Sequence, residues 1–208
     1  MRMKRISATA PGALESAAAA LRATEIVAIP TETVYGLAVL PDERGLERLL
    51  AAKQRSAEKG IQLLIDSIEQ ARAVATLPPI AERLAAAFWP GPLTLVLPRR
   101  PDVTLPAQLG GGRPTLGIRL PDHPVPRALA RELGPLAASS ANVSGQPDAT
   151  TAELVMASLG DIVTLVLDDG PVRGGVPSTV VDCSANDGAP QILRVGALSE
   201  AEVLAAAG

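Results

Sequence analysis

The chain of 208 residues carries a formal net charge of −3 and is 47% hydrophobic, yet it holds one Phe, one Trp and one Tyr, so its core must be built from Ala, Leu, Val and Ile. Its single cysteine, Cys183, excludes an intramolecular disulfide and a cysteine-based zinc site, and its single histidine, His123, excludes a histidine cluster, so no protein-bound structural metal is expected. The aromatics are too few to stack single-stranded bases, no run approaches the ~18 apolar residues of a membrane span, and Pro11, Gly12 and Glu15 interrupt the region where a secretion signal would be apolar; a cytoplasmic protein with no membrane partner is expected.

The length suits one domain spanning residues 1–208. Charge is divided along it. Residues 1–131 hold 17 of the 19 Lys and Arg against 12 acids (+5), and residues 132–208 hold 2 bases against 10 acids (−8), a division compatible with an anion-binding face built from the first part.

In chain order, Ala13 to Arg22 has apolar positions 14, 17, 18 and 21, which is helical spacing, and leads into a short buried strand, Glu25 to Ile29. Pro30 lacks a backbone donor and should end that strand. The stretch Pro30-Thr31-Glu32-Thr33-Val34-Tyr35-Gly36 then offers hydroxyls where ligands bind in open α/β sheets, although a polar turn closed by Gly36 uses the same residues. Asp42 caps a helix from Glu43 to Lys53 with 46, 49, 50 and 53 on one stripe. Lys53, Arg55 and Lys59 follow within seven residues; they either complement the helix C-terminus or grip phosphate. Next come a strand over 61–65, a helix capped by Ser67 to about Val74, a helix over 79–88 with Phe88 and Trp89 as core plugs, and a strand over 93–97.

Residues 99–114, rich in Pro, Gly and Arg, read as a mobile loop, either a lid or a plain surface excursion. A strand over 115–121 alternates Arg119 with apolar neighbours, so Arg119 faces either solvent or a polar site. His123-Pro124 opens a helix to about Leu133, and the strand 135–138 ends in a second polar turn, Ser139 to Gly145. A helix over 150–159, strands over 162–167, 178–182 and 191–194, and a tail helix from Ser199 complete the chain. Strands alternating with helices indicate an α/β domain on a largely parallel or mixed, open twisted sheet with helices packed on it.

Several separated stretches fit one pattern: Pro30-Thr-Glu-Thr-Val-Tyr-Gly-Leu37, Lys53-Gln-Arg55, Phe88-Trp-Pro-Gly-Pro-Leu-Thr-Leu95, Gly117-Ile-Arg119 with Pro121, Ser140-Ala-Asn142 with Ser144-Gly145, Ser178-Thr-Val-Val-Asp182, and Ile192-Leu-Arg194 with Gly196. In these residues the chain resembles the YrdC/TsaC family of L-threonylcarbamoyladenylate synthases, over nearly its whole length and in a form resembling the short bacterial members without a further C-terminal domain. The resemblance implies a concave basic cleft and a nucleotidyl transfer from ATP to L-threonine and bicarbonate or CO2. The products are threonylcarbamoyl-AMP and pyrophosphate, with Mg²⁺ on the phosphates, and the adenylate passes to downstream tRNA-modification proteins. Carried over by position, Lys53 and Arg55 are catalytic and contact ATP phosphates with Lys59 as a helper, Ser140 and Asn142 hold the nucleotide or metal-bound phosphates, and Arg194 lines the nucleotide side of the ATP site. Thr33, Thr115, Arg119 and Ser178 hold L-threonine, with Arg119 on its carboxylate, while Tyr35 shapes the pocket. Ser56, Ala38 and Asp148 depart from the family pattern, and Asp148, where a small hydroxyl residue is common, is left out of the ATP contacts.

Such a reaction needs positioning and electrostatics rather than a side-chain nucleophile, which suits a chain without a Ser-His-Asp or Cys-His set. Two other readings are an RNA-binding module with a basic face and no turnover, and a different carbamoyl-transferring enzyme of the same fold, as in hydrogenase-maturation proteins.

Overall fold

Short apolar runs bounded by Pro and Gly become ten strands of one sheet in the computed structural model, which describes residues 3–185 and 190–208. The strands are β1 (Lys4–Ser7), β2 (Val27–Ile29), β3 (Gly36–Val39), β4 (Gln62–Leu64), β5 (Leu93–Pro98), β6 (Thr115–Arg119), β7 (Leu136–Ser140), β8 (Leu165–Asp168), β9 (Thr179–Asp182) and β10 (Gln191–Arg194). Their spatial order is β1-β8-β2-β3-β7-β4-β6-β5-β9-β10. Four neighbouring pairs run parallel and five antiparallel, so the sheet is mixed, as expected from the alternation of elements. The helices are α1 (Ala13–Arg22), α2 (Glu43–Lys53), α3 (Ile68–Val74), α4 (Pro79–Phe88), α5 (Pro124–Leu133), α6 (Ala152–Leu159) and α7 (Glu200–Ala207).

Local chemistry sets the boundaries. Asp42 accepts a hydrogen bond from the Gly45 amide at 2.7 Å, Ser67 caps α3, and Ser199 forms a reciprocal capping box with Glu202 at the start of α7. β2 stops at Ile29, ahead of Pro30. The chain then turns back, and Gly36–Val39 forms a strand antiparallel to β2 where the residues signal only a polar turn. Its residues Leu37, Ala38 and Val39 are fully buried, so tertiary burial rather than a local signal makes that strand. Ala38, where the family often has Gly, takes no left-handed conformation. β1, also unexpected, is a short edge strand lying parallel to β8.

Strand alternation divides the interior in two. Val27, Ile29, Ala38, Leu64 and Ala138 join α1 and α5 in one cluster, and Ala28, Leu37, Val39 and Leu63 face the opposite cluster with α2 and α4. Leu93, Leu95, Leu97, Leu116 and Ile118 belong to that second cluster. Their alternates Thr94, Val96, Thr115, Gly117 and Arg119 therefore point to the α1 and α5 side, where they line a cavity beyond those two helices. Phe88 and Trp89 are half-buried at the border of the second cluster rather than plugs inside it. No helix among the described residues is long and apolar enough to cross a membrane.

Candidate active site

The cavity on the open half of the sheet has a volume of about 230 Å³. Arg55, Lys59, Ser140 and Arg194 line it together with Thr115, Arg119 and Ser178, so seven of the ten expected site residues meet there. Lys53, Thr33 and Asn142 are not in the lining but directly behind it.

The Lys53-Gln54-Arg55 segment shows how this division arises. Gln54, at the end of α2, sits in the left-handed region with φ 49° and ψ 43°, which is unusual for a residue with a side chain. The kink sends the two cations in different directions. Lys53 is 1% exposed, and its ammonium donates to the Ser140 carbonyl, the Asn142 carbonyl at 2.7 Å and Asn142 Oδ1 at 2.9 Å. Burial, then the nearby Arg55, push Lys53 down to about 8, with Asp148 opposing. Arg55 turns to the cavity and donates from Nη2 to the carbonyls of Lys59 and Gly60. Burial, then the charge of Arg194 across the same cavity, lower its pKa.

Around Arg194 the site is hydroxyl-rich. Arg194 Nη2 donates to the Ser178 carbonyl at 2.8 Å, and Ser178 Oγ lies 2.8 Å from Thr94 Oγ1, which donates in turn to Gln62 Oε1 at 2.9 Å. Since the Thr94 proton is used on Gln62, Ser178 donates to Thr94. Thr33 stands one layer back. Its hydroxyl accepts from Arg119 Nη2 at 3.0 Å and lies 2.9 Å from Thr31 Oγ1, which itself donates to the Val34 carbonyl. Thr33 therefore buttresses Arg119 in this arrangement. Tyr35 is fully buried and donates to the Gly170 carbonyl at 2.8 Å; burial first, then nearby Asp168 and Asp169, push its phenol up to about 12, so it is a structural post. His123, at the helix start expected from the sequence, caps α5 and lies 3.3 Å from Asp169.

The 99–114 loop is pinned at its tip. The Ile61 amide donates to the Leu109 carbonyl at 3.0 Å, and a Cβ on Gly111, where φ is 62°, would stand 2.3 Å from the Glu58 carbonyl oxygen. Only glycine permits this approach. It brings Arg113 to the cavity beside Lys59. Arg113, Gln62 and Thr94 line the cavity without any sequence assignment, and so does Asp148, which the resemblance set apart from the ATP contacts. The alternation of Thr94 with Leu93 and Leu95 was a usable signal for one of them; Arg113 and Asp148 lie in loops with no periodicity to read.

Five cations, Arg55, Lys59, Arg113, Arg119 and Arg194, and one carboxylate, Asp148, thus surround one hollow at strand ends. Such an excess of cations over carboxylates suits an anionic ligand. A family model for Sua5, YciO and YrdC proteins, described as telomere recombination, matches residues 19–196, and the chain belongs to this family. It is 41% identical over 198 residues to a threonylcarbamoyl-AMP synthase of Bacillus subtilis, covering 94% of this chain and 56% of that protein. To a putative threonylcarbamoyl-AMP synthase of Mycobacterium tuberculosis it is 40% identical, covering 91% of this chain and 88% of the other. The crystal structure of Pyrococcus abyssi Sua5 complexed with L-threonine superposes with a TM-score of 0.86 at 40% identity, covering 93% of this chain and 56% of that one. The chain spans about half the length of the Bacillus and Pyrococcus relatives.

Proposed function

We propose that this chain is a threonylcarbamoyl-AMP synthase, using L-threonine, bicarbonate or CO2, and ATP. The observation that carries the reading is that Arg55, Lys59, Ser140, Arg119, Ser178 and Arg194, from motifs far apart in sequence, line the same cavity. The bound L-threonine in the Pyrococcus relative supports placing an amino acid here.

Arg119 meets the threonine carboxylate with Nη1, the guanidinium nitrogen that bonds to no described residue, and the Ser178–Thr94 pair supplies hydroxyls for its polar groups. The threonine amine adds to CO2 and loses a proton to solvent, giving a carbamate. A carbamate oxygen then attacks the α-phosphorus, the bond to the β-phosphate oxygen breaks, and pyrophosphate leaves. Arg55, Lys59, Arg113 and Arg194 stabilise the charge that develops on phosphoryl oxygens and on the leaving group. Lys53 and Asn142 act from behind by fixing the turn that carries Ser140.

Among the described residues no cluster of three or more His, Cys, Asp or Glu forms a metal cage. One carboxylate beside substrate phosphates is nevertheless the donor set Mg²⁺ favours, and Asp148 with the Ser140 hydroxyl fits it. When bound there, the ion would neutralise phosphate charge. The adenylate would pass to tRNA-modification proteins in the cytoplasm. RNA binding without turnover is not favoured, because contacts to a backbone alone require neither a buried Arg119 nor the Ser178–Thr94–Gln62 chain.

The test is pyrophosphate release by purified protein with ATP, Mg²⁺ and bicarbonate. Release should depend on L-threonine and be weaker with L-serine; release that ignores the amino acid would refute the reading.

A further inference from the structure

Arg119 is 3% exposed, and a guanidinium does not deprotonate in a protein, so its charge must be compensated within the fold. The compensation comes from Glu32, which no motif reading singled out. Glu32 Oε1 lies 2.7 Å from Arg119 Nη2, and its side chain is only 19% exposed. Both of its carboxylate oxygens are sealed from solvent and form no well-aligned hydrogen bond with any described residue, leaving the ion pair as their compensation. The backbone around it is fixed, since the Gly174 amide donates to the Glu32 carbonyl at 3.1 Å and the Gly175 amide to the Thr33 carbonyl at 2.8 Å. A Cβ at Gly174 would approach the Glu32 carbonyl oxygen to 2.9 Å, so that strap lies tight against Glu32.

The guanidinium is held along one edge only. Nε donates to the Gly91 carbonyl at 3.2 Å and Nη2 to Thr33 Oγ1 at 3.0 Å, with Glu32 against the same Nη2. Nη1 is left over, on a residue that lines the cavity. We propose that Glu32 is the positioning residue of this site: it fixes the Arg119 guanidinium so that Nη1 alone faces the ligand, and thereby sets the preference for a ligand bearing a carboxylate. Glu32 lies outside the cavity lining and does not touch the ligand. This rests on the reading that Arg119 receives the carboxylate of an amino acid.

The test compares binding of L-threonine with that of L-threoninamide, which lacks the carboxylate, by calorimetry in the presence of a non-hydrolysable ATP analogue. In Glu32→Ala the preference for L-threonine should fall by at least about tenfold while affinity for the ATP analogue changes by less than about twofold. Glu32→Gln, which keeps an acceptor oxygen in the same place, should recover most of the preference. An unchanged preference in the alanine variant, a parallel loss of ATP-analogue affinity, or no recovery with glutamine would overturn the assignment.

Should Glu32→Ala fail to fold, the double variant Glu32→Ala/Arg119→Gln, which removes the uncompensated charge, should fold, and its failure would also overturn the assignment. If wild-type protein shows no preference for L-threonine over the amide, the placement of the amino acid fails. The stability of single against double variant then still decides whether Glu32 holds Arg119.

Discussion

Lys53 donates to Asn142 twice, to its carbonyl at 2.7 Å and to its side-chain Oδ1 at 2.9 Å, so the helix end at α2 and the turn after β7 are one unit. The same Oδ1 accepts from Ser140 Oγ at 2.7 Å. Lys53→Met keeps the alkyl stem and removes the donors: the Asn142 carbonyl loses its partner, while the Ser140 carbonyl keeps the Asn142 amide and Asn142 Oδ1 keeps the Ser140 hydroxyl. A loss of about 2 kcal/mol in urea unfolding and a steep fall in threonine-dependent rate are expected. If Lys53 were only a phosphate ligand, stability would be nearly unchanged.

The lowered pKa of Lys53 gives a pH limb. Below about 8 the ammonium serves all three acceptors, and above it the amine has one donor fewer, so the rate should decline above about pH 8. Unfolding is not the cause. The folded value lies below the ordinary 10.5, so between about 8 and 10.5 the unfolded chain holds more protons and this group makes the fold more stable as pH rises. Rate and circular dichroism recorded together from pH 7 to 9.5 should separate, with rate falling and fold retained.

Arg55 lines the cavity and has no acidic partner among the described salt bridges. Arg55→Ala should reduce the rate by about tenfold or more, the scale of losing a charge-assisted phosphate contact, with unchanged affinity for L-threonine. Steady-state titration of each substrate checks it.

Two glycines should respond differently. At Gly117 an added Cβ meets Thr94 Cγ2 at 3.6 Å and Gln62 Cβ at 3.7 Å, which is ordinary contact on the cavity floor. Gly117→Ala should therefore keep its melting temperature within a few degrees while its affinity for substrate falls, because the added methyl occupies the hollow. Gly111→Ala would force a Cβ to 2.3 Å from the Glu58 carbonyl oxygen, parting the loops that carry Lys59 and Arg113. It should weaken ATP binding and make residues 99–114 more susceptible to proteolysis.

The architecture was legible where sequence carries a local signal: Asp42, Ser67 and Ser199 mark helix starts by capping, and Pro30 marks the end of β2. β3 was not, because Gly36–Val39 becomes a strand only through burial between β2 and β7. Much of the site was legible through the motif resemblance, which assigned Arg119 and Ser178 by position, whereas alternation in β5 and β6 left the face of Arg119 open and Thr94 unassigned. What sequence could not divide was the front row from the back. Lys53 and Arg55 are two residues apart, yet the left-handed Gln54 sends one under the turn and the other into the hollow. Glu32 was equally hidden, since its meaning depends on Arg119, 87 residues away.

The most direct measurement uses labelled bicarbonate with L-threonine, ATP and Mg²⁺, followed by separation of the nucleotide products. Label, threonine and AMP should appear together in one molecule, formed in step with pyrophosphate and lost in Arg119→Ala. Pyrophosphate or phosphate released without label in any nucleotide product would contradict a threonylcarbamoyl transfer in this cavity.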